Sequence, residues 1–321
     1  MRVPLFLVAL TLLVTAFPAH AANEFDLSVS PRFFAPYSTI SLTPESTQIP
    51  LELARITTTV GGKEVAITTG TEPISVTLGG VGEATPISVA ATINGATYTK
   101  KIVLTPQDVS LVVEPSTTVH PLYLGTGSIT SESRIRLIAL ADFRTTGGKR
   151  IDPTTLSYQW KVGDQNLMAE SGIGRSALSV TAPVRYRDAI VSVTIVTPDQ
   201  SLVGGAQLAI APAVPLLRIY KNDPLLGPDF NTALFGTVAM TDSEETFRVV
   251  PYFFPSIPTI AWVVNSVASG GEKDLTVRPT GNGAGSATIG VTATHSATIQ
   301  SASQNLPVTF GAAKPLGIFG L

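Results

Sequence analysis

The sequence predicts an all-β protein in which three tandem β-sandwich domains follow an N-terminal export signal. Three observations predict this fold. Apolar and small polar residues alternate over short stretches, 27 glycines and 24 prolines interrupt the chain at strand-length intervals, and one strand pattern recurs at a fixed period. Helical periodicity is hardly visible after the first segment. We expect the three sandwiches to form an elongated rod.

The N-terminal segment has the pattern of a secretion signal. A charged start is followed by an apolar run, Val3–Phe17, and by the small-residue motif Ala19-His20-Ala21. The alternative is an uncleaved anchor, but the run is shorter than the ~20 residues of a spanning helix and contains Pro4. We therefore predict a signal peptide over residues 1–21, cleaved after Ala21, and a protein that is secreted or displayed on the cell surface.

Composition excludes several functional classes. Charged residues are 14% of the chain, whereas about 25% is usual for soluble domains, and the formal net charge is -2. No basic tract fits a nucleic acid or an anionic membrane. The lack of cysteine excludes thiol catalysis, cysteine-ligated metals and a lipid-modified cysteine after the signal. The lack of an Asn-x-Ser/Thr sequon favours a bacterial origin.

One strand pattern occurs three times. Position 58 to position 160 is 102 residues, and position 160 to position 262 is again 102. A period near 100 residues matches one sandwich domain, which places the domains at residues 24–107, 108–212 and 213–311. The aligned alternating positions are Ile56, Thr58 and Val60, then Tyr158, Trp160 and Val162, then Ile260, Trp262 and Val264.

Turn residues and short links support this division. Asn94-Gly95, Gly61-Gly62 and Gly163-Asp164 follow alternating stretches and are typical of two-residue hairpin turns. Proline-containing links of a few residues, at Pro106 and at Pro212 with Pro215, join successive copies. Stiff, short links restrict the relative motion of neighbouring domains, which is the basis of the predicted rod.

The third strand of each copy carries a family resemblance. The strand "YQWKV", the repeat and the valine-rich closing hairpins resemble bacterial immunoglobulin-like domains of the polycystic-kidney-disease-like and big-domain type. The run "GGKRIDPTTLSYQWKVGDQNL" is similar to exported surface proteins of candidate-phylum bacteria. The resemblance implies surface display, adhesion or the spacing of other modules. The first copy departs from the pattern because Thr58 replaces tryptophan, so its core should be filled differently.

Trp160 is predicted to pack in its core without the disulfide that usually contacts this tryptophan in immunoglobulin-like domains. Its burial removes ~150–250 Å² from water, an upper bound of ~4–6 kcal/mol, which is comparable with the ~2–5 kcal/mol lost with a native disulfide. The predicted neighbours of Trp160 are Leu137, Leu178, Val180, Val191 and Val193. The predicted structural core residues of the tryptophan strands are Trp160, Trp262, Tyr158, Val162 and Val264.

No catalytic or cofactor-binding residue is predicted. His120 and His295 lie in different copies and fit isolated surface histidines. The acidic run Asp242, Glu244 and Glu245 fits a solvated turn. No nucleophile elbow, phosphate-binding loop or two-histidine metal spacing occurs.

Two segments admit a ligand or a partner. A loop in the third copy offers oxygen donors to calcium, although Asx residues more often begin turns. The donors are Asn222, Asp223, Asp229 and Asn231. The apolar tail at 312–321 would add to a sheet edge of its own domain or, in the minor alternative, of another copy, giving self-association.

The aromatic segment Tyr252–Phe254 is expected to turn a corner with its rings in the core.

These observations favour a non-enzymatic, exported cell-surface protein with a structural, adhesion or assembly role. Its expected partners are other proteins or envelope polymers. The alternative is an accessory carbohydrate-binding protein, which would need exposed aromatics aligned on one sheet face, and only 7% of the residues are aromatic.

Overall fold

The computed structural model describes residues 25–281 and 283–311. The predicted signal peptide at 1–21 and the tail at 312–321 lie outside these residues. Strands account for the regular structure of the described chain, with no α-helix, which confirms the all-β prediction. Within the same residues no helix has the length and apolar character to cross a membrane. The helical turns are four 3₁₀ segments, Leu51–Leu53, Pro153–Thr155, Met168–Glu170 and Ser296–Thr298.

The first sandwich pairs a three-stranded sheet, in the order β1-β2-β5, with a four-stranded sheet, in the order β4-β3-β6-β7. Its strands are β1 (Asp26–Ser30), β2 (Thr39–Glu45), β3 (Arg55–Val60), β4 (Lys63–Thr69), β5 (Ile74–Thr77), β6 (Thr85–Ile93) and β7 (Ala96–Leu104). All these pairings are antiparallel.

The second sandwich repeats this order. Its strands are β8 (Asp108–Pro115), β9 (Arg134–Asp142), β10 (Ser157–Val162), β11 (Gln165–Asn166), β12 (Gly172–Ile173), β13 (Ala177–Thr181), β14 (Ala189–Val196) and β15 (Val203–Ile210). One sheet has the order β13-β9-β8, and the other has the order β11-β10-β14-β15 with β12 also paired to β10.

The third sandwich adds two short strands to the same plan. Its strands are β16 (Leu216–Asp223), β17 (Gly227–Pro228), β18 (Val238–Ala239), β19 (Glu245–Tyr252), β20 (Thr259–Val264), β21 (Val267–Gly270), β22 (Asp274–Val277), β23 (Gly285–His295) and β24 (Gln300–Phe310). The sheets have the orders β17-β16-β19-β22 and β18-β24-β23-β20-β21. β18 pairs in parallel with the end of β24.

The strand order identifies the fold. In each copy the second long strand pairs on one side with the first and on the other side with the strand that follows the central hairpin, while that hairpin joins the last two strands in the opposite sheet. This crossing between sheets is the Greek-key arrangement of immunoglobulin-like sandwiches and confirms the predicted fold class. The chain divides into two compact units between Thr105 and Pro106, and the second unit contains two of the sandwiches.

The three aligned positions are structurally equivalent. Each lies fourth in a six-residue central strand and points into a separate apolar core between the two sheets. Each also faces a valine of the neighbouring strand: Thr58 faces Val89, Trp160 faces Val193, and Trp262 faces Val291. The 102-residue period therefore reports a true structural repeat.

Hairpin turns occur where the sequence predicts them. Ile93 and Ala96 pair across Asn94-Gly95, whose φ angles are 48° and 84°. Two positive φ angles define the turn type that suits the right-handed twist of a hairpin. Gly61-Gly62 and Gly163-Asp164 likewise join paired strands.

Trp160 is 1% exposed and belongs to the core of the second sandwich. Its five predicted neighbours, Leu137, Leu178, Val180, Val191 and Val193, belong to or pack against the same cluster. Tyr158 is fully buried there, and Val162 packs against the cluster. Trp262 and Val264 occupy the corresponding places in the third core.

Thr58 fills the tryptophan position of the first sandwich and is fully buried. Among the residues that the structure describes, its hydroxyl oxygen has no hydrogen-bond partner. A buried hydroxyl without a partner destabilises the fold, so at this aligned position the first copy carries a cost that the two tryptophan copies do not.

Candidate interaction site

A long connection of the second sandwich, residues 116–133 between β8 and β9, reaches the third sandwich. The backbone N–H of Thr118 donates to the carbonyl of Phe254 at 2.7 Å, and the N–H of Phe253 donates to the carbonyl of Thr118 at 2.7 Å. These two bonds connect Thr118 to two consecutive residues of the third sandwich, Phe253 and Phe254. They tie two sandwiches together through their main chains.

Phe253 has a backbone conformation that turns its carbonyl toward this connection. Its φ is 67°, in the left-handed region that bulky residues rarely adopt, which costs on the order of 1–3 kcal/mol. The carbonyl oxygen accepts a 2.9 Å hydrogen bond from the hydroxyl of Thr130, which is fully buried. The surrounding bonds from Thr118 and Thr130 hold the strained residue in place.

An aromatic cluster fills the junction. Tyr220, Val250, Tyr252 and Phe253 form a small buried cluster that is separate from the sandwich cores. The hydroxyls of Tyr220 and Tyr252 are 3.1 Å apart. Burial, and then the hydrogen bond with Tyr220, raise the pKa of Tyr252. Tyr123 of the long connection packs edge-on against two of these rings, with centroid distances of 5.6 Å to Tyr252 and 5.7 Å to Phe253.

The prediction that Tyr252–Phe254 bury their rings together in one core is wrong for two of the three. Only Phe254 enters the core of the third sandwich. Along β19, Phe247 and Val249 face that core, so the alternation of a strand turns Tyr252 to the opposite face. That face is covered by the neighbouring sandwich and not by solvent.

Polar bonds close the other side of the junction. Gln300 is buried, and its Nε2 donates to the carbonyl of Ser131 at 2.5 Å. The Ser131 hydroxyl accepts from the backbone N–H of Arg185 at 3.1 Å. Thr130 also forms a parallel bridge with Ala213 in the link between the two sandwiches. Contacts from several segments therefore fix the second and third sandwiches to each other.

Two grooves open beside the junction. The first has a volume of about 290 Å³, and its walls include Val119, His120, Phe230 and Ile257. The second has a volume of about 390 Å³ and is more polar; its walls include Arg185, Arg218, Phe235 and the segment 301–305 of β24. Sequence patterns indicate no binding role for the residues of the second groove, and Pro215 stands out only as part of the link between two copies.

The two histidines are engaged separately by neutral groups. Nδ1 of His120 accepts the N–H of Leu122 at 3.2 Å, and the ring lies 4.1 Å from the ring of Phe230. His295 lies 2.8 Å from each of two hydroxyl oxygens, those of Ser256 and Thr298. The structure does not bring the two histidines into one site.

The prediction that the acidic run 242–245 is a solvated turn is wrong for Glu245. Glu245 is buried at the start of β19. Its carboxylate lies 3.1 Å from Nζ of Lys221 and accepts the N–H of Thr241 at 3.1 Å. A cation and a backbone donor together offset the desolvation of this charge.

The oxygen-rich loop of the third copy is organised by its own backbone. The carboxylate of Asp223 accepts the N–H groups of Leu225 and Leu226 at 2.8 and 3.0 Å, and these bonds lower its pKa. Asp229 accepts the N–H of Asn231, while Asn222 donates to Asp274. Within residues 25–281 and 283–311, no cluster of three or more acidic or histidine side chains is arranged to hold a metal. Local turns account for Asp223 and Asp229, whereas Asn222 lies in β16 and bonds across to Asp274.

Comparison with known proteins finds no matching family model and no matching curated protein. Solved structures align weakly. The fibronectin(III)-like modules of Clostridium thermocellum CbhA share 12% identity over 58% of this chain and 94% of theirs, with a TM-score of 0.26. Three N-terminal domains of the bacteriophage RB49 Highly Immunogenic Outer Capsid protein share 13% identity over 90% of this chain and 100% of theirs, with a TM-score of 0.25.

The central fibronectin-III array of RIM-binding protein shares 10% identity over 88% of this chain and 95% of that one, with a TM-score of 0.29. The fold assignment rests on strand order and register instead. By that criterion, each of the three sandwiches is immunoglobulin-like.

Proposed function

We propose that this chain is a non-enzymatic, exported cell-surface protein with a structural, adhesion or assembly role. The observation that carries the proposal is the junction, in which Thr118 is joined by two main-chain hydrogen bonds to Phe253 and Phe254 of the neighbouring sandwich. A fixed pair of sandwiches presents its edges and grooves in one geometry. Such pre-organisation lowers the entropic cost of binding a partner.

Export is tested with a reporter that is active only outside the cytoplasm. Residues 1–23 are fused to an alkaline phosphatase that lacks its own signal and are expressed in a Gram-negative host. We expect activity in intact cells and cleavage after Ala21 by N-terminal sequencing. The matched control is Leu7→Arg, which interrupts the apolar run. Equal activity from the two fusions would contradict export through this segment.

The carbohydrate-binding alternative requires aromatic side chains aligned on one sheet face. The exposed aromatics include Tyr37, Tyr186 and Phe235, which belong to three different sandwiches. This distribution favours the structural or adhesion role. Surface display is then tested by antibody labelling of intact cells of the producing bacterium, with a cytoplasmic protein as the negative control.

A further inference from the structure

We propose that the outer edge of β24 binds an extended, acidic peptide segment of a partner protein as an added strand. This proposal rests on the surface role above and names the chemistry of its partner. The binding stretch is residues 301–305, which forms one wall of the 390 Å³ groove.

The register of β23 and β24 shows which backbone groups face this groove. Thr288 pairs with Pro307, but the N–H and carbonyl of Thr288 bond to Asn265 on the opposite side. In an antiparallel pair, a residue directs its N–H and C=O to the same side. Pro307 therefore turns its backbone away from β23, toward the outer edge.

The same orientation recurs at every second residue. Ser301, Ser303 and Asn305 share the parity of Pro307, so their N–H and C=O groups also point outward. Thr309 has this parity too, and its carbonyl accepts the N–H of Met240 at 2.8 Å on that edge. This bond confirms the orientation independently.

The edge is only partly covered. β18 pairs with Val308 and Thr309 and with no other part of β24. In the described part of the chain, no strand continues this pairing along 301–305. An unpaired edge presents donors and acceptors to an extended peptide, as in β-strand addition.

Charge selects the chemistry of the added strand. Arg185 and Arg218 line the groove, and neither forms an ion pair with a carboxylate among residues 25–281 and 283–311. Guanidinium groups form strong charge-assisted hydrogen bonds with carboxylates. Glutamate or aspartate at alternate positions of the peptide would face them.

An anionic polysaccharide fits the groove less well than a peptide does. The outward backbone groups repeat every second residue, about 6.6 Å apart, which matches another strand. The guanidinium of Arg218 lies 4.9 Å from the ring centroid of Phe235. That ring is 62% exposed, but the arginine covers a face on which a sugar would stack.

The test uses a fluorescein-labelled, acetylated peptide, (Val-Glu)₅, titrated with the folded protein by fluorescence anisotropy. We expect saturable binding that weakens with added salt, and no binding of the matched (Val-Lys)₅ peptide. The double variant Arg185→Glu with Arg218→Glu should weaken binding at least ten-fold. The control, Arg187→Glu, makes one such charge reversal on an exposed residue of the loop that carries Arg185 and should bind as the native protein does.

A second variant tests the backbone edge without changing charge. Ser303→Pro removes an outward N–H that β23 does not use, so we expect an unchanged melting temperature and several-fold weaker binding. Equal binding of the two peptides, or no effect of either variant, would overturn the proposal. Binding of polygalacturonate that depends on both arginines and not on Ser303→Pro would also overturn it. The export reporter is independent of these results, so failure here leaves the surface role intact.

Discussion

Nε1 of the Trp160 indole donates a hydrogen bond of 2.9 Å to the carbonyl oxygen of Arg175. Trp262 makes the equivalent bond of 2.8 Å to the carbonyl of Glu272. In both sandwiches the indole thus closes the connection between the central hairpin and the next strand. Apolar packing together with this bond holds each tryptophan in a chain without cysteine.

Substitutions of Trp160 separate the stabilisation by apolar packing from that by the indole hydrogen bond. Trp160→Ala should destabilise the second sandwich by about 3–5 kcal/mol, because it leaves a large cavity. Trp160→Phe should cost about 1–3 kcal/mol, because part of the volume remains while the Arg175 carbonyl loses its donor. Calorimetric unfolding measures both effects. An exposed aromatic of the same sandwich, Tyr186→Ala, is the control and should change stability little; an equal loss in all three variants would contradict this account.

Thr58→Val should stabilise the first sandwich by about 1 kcal/mol. The substitution keeps the shape of the side chain and removes a buried hydroxyl without a partner. Thr57→Val, on the opposite face of the same strand, is the matched control and should give no comparable gain. A lower melting temperature for Thr58→Val than for the native chain would show that the hydroxyl has a favourable partner.

Thr130→Val should weaken the junction. The change removes the donor to the carbonyl of Phe253 and leaves that buried oxygen unpaired, at a cost of about 1–3 kcal/mol. Hydrogen exchange at the amides of Thr118 and Phe253 measures the effect, and we expect faster exchange at both. Unchanged exchange there would mean that the hydroxyl does not support the strained backbone. Thr154→Val, in an exposed turn of the same sandwich, is the control.

Acid should remove the stability that ionised Asp142 adds to the folded state. The hydrogen bond from Arg144 lowers the pKa of Asp142, and the charges of Arg144 and Arg150 act in the same direction. A lowered folded-state pKa adds stability above the unfolded value of about 3.9, and this stability disappears as the pH falls through the folded value. Asp142→Asn should therefore cost on the order of 0.5 kcal/mol at pH 7, and this cost should shrink as the pH falls through the lowered pKa.

Chemical denaturation as a function of pH measures the difference between Asp142→Asn and the native chain. Asp188→Asn removes the same charge from an exposed loop and serves as the control. A stability gap for Asp142→Asn that persists undiminished in acid would contradict the ion-pair explanation.

Local patterns made the three sandwiches predictable. Strand alternation, hairpin dipeptides and the 102-residue spacing of Trp160 and Trp262 each depend on residues that are close in sequence or repeated. The junction was not predictable in this way. Thr130 and Phe253 are separated by 123 positions, and alternation alone does not show whether the outward face of a strand meets solvent or another domain. The length of the 116–133 connection was the one available signal.

The roles of the charged residues at the site could not be predicted for a related reason. Glu245 reads as a surface residue until Lys221, 24 positions earlier, is placed beside it. Arg185 and Arg218 belong to different sandwiches, and only the junction brings them to one groove. Sequence patterns relate residues that are close in the chain, whereas these roles depend on contacts between residues that are distant in the chain.

A distance measurement between the second and third sandwiches tests the junction most directly. Because the chain has no cysteine, Gln207→Cys and Thr292→Cys would carry the only two spin labels, at exposed positions of these sandwiches. Double electron–electron resonance should give one narrow distance distribution, which broadens when Tyr252→Ala is added. A broad distribution in the chain with an intact junction would show that the two sandwiches move independently and would contradict the account.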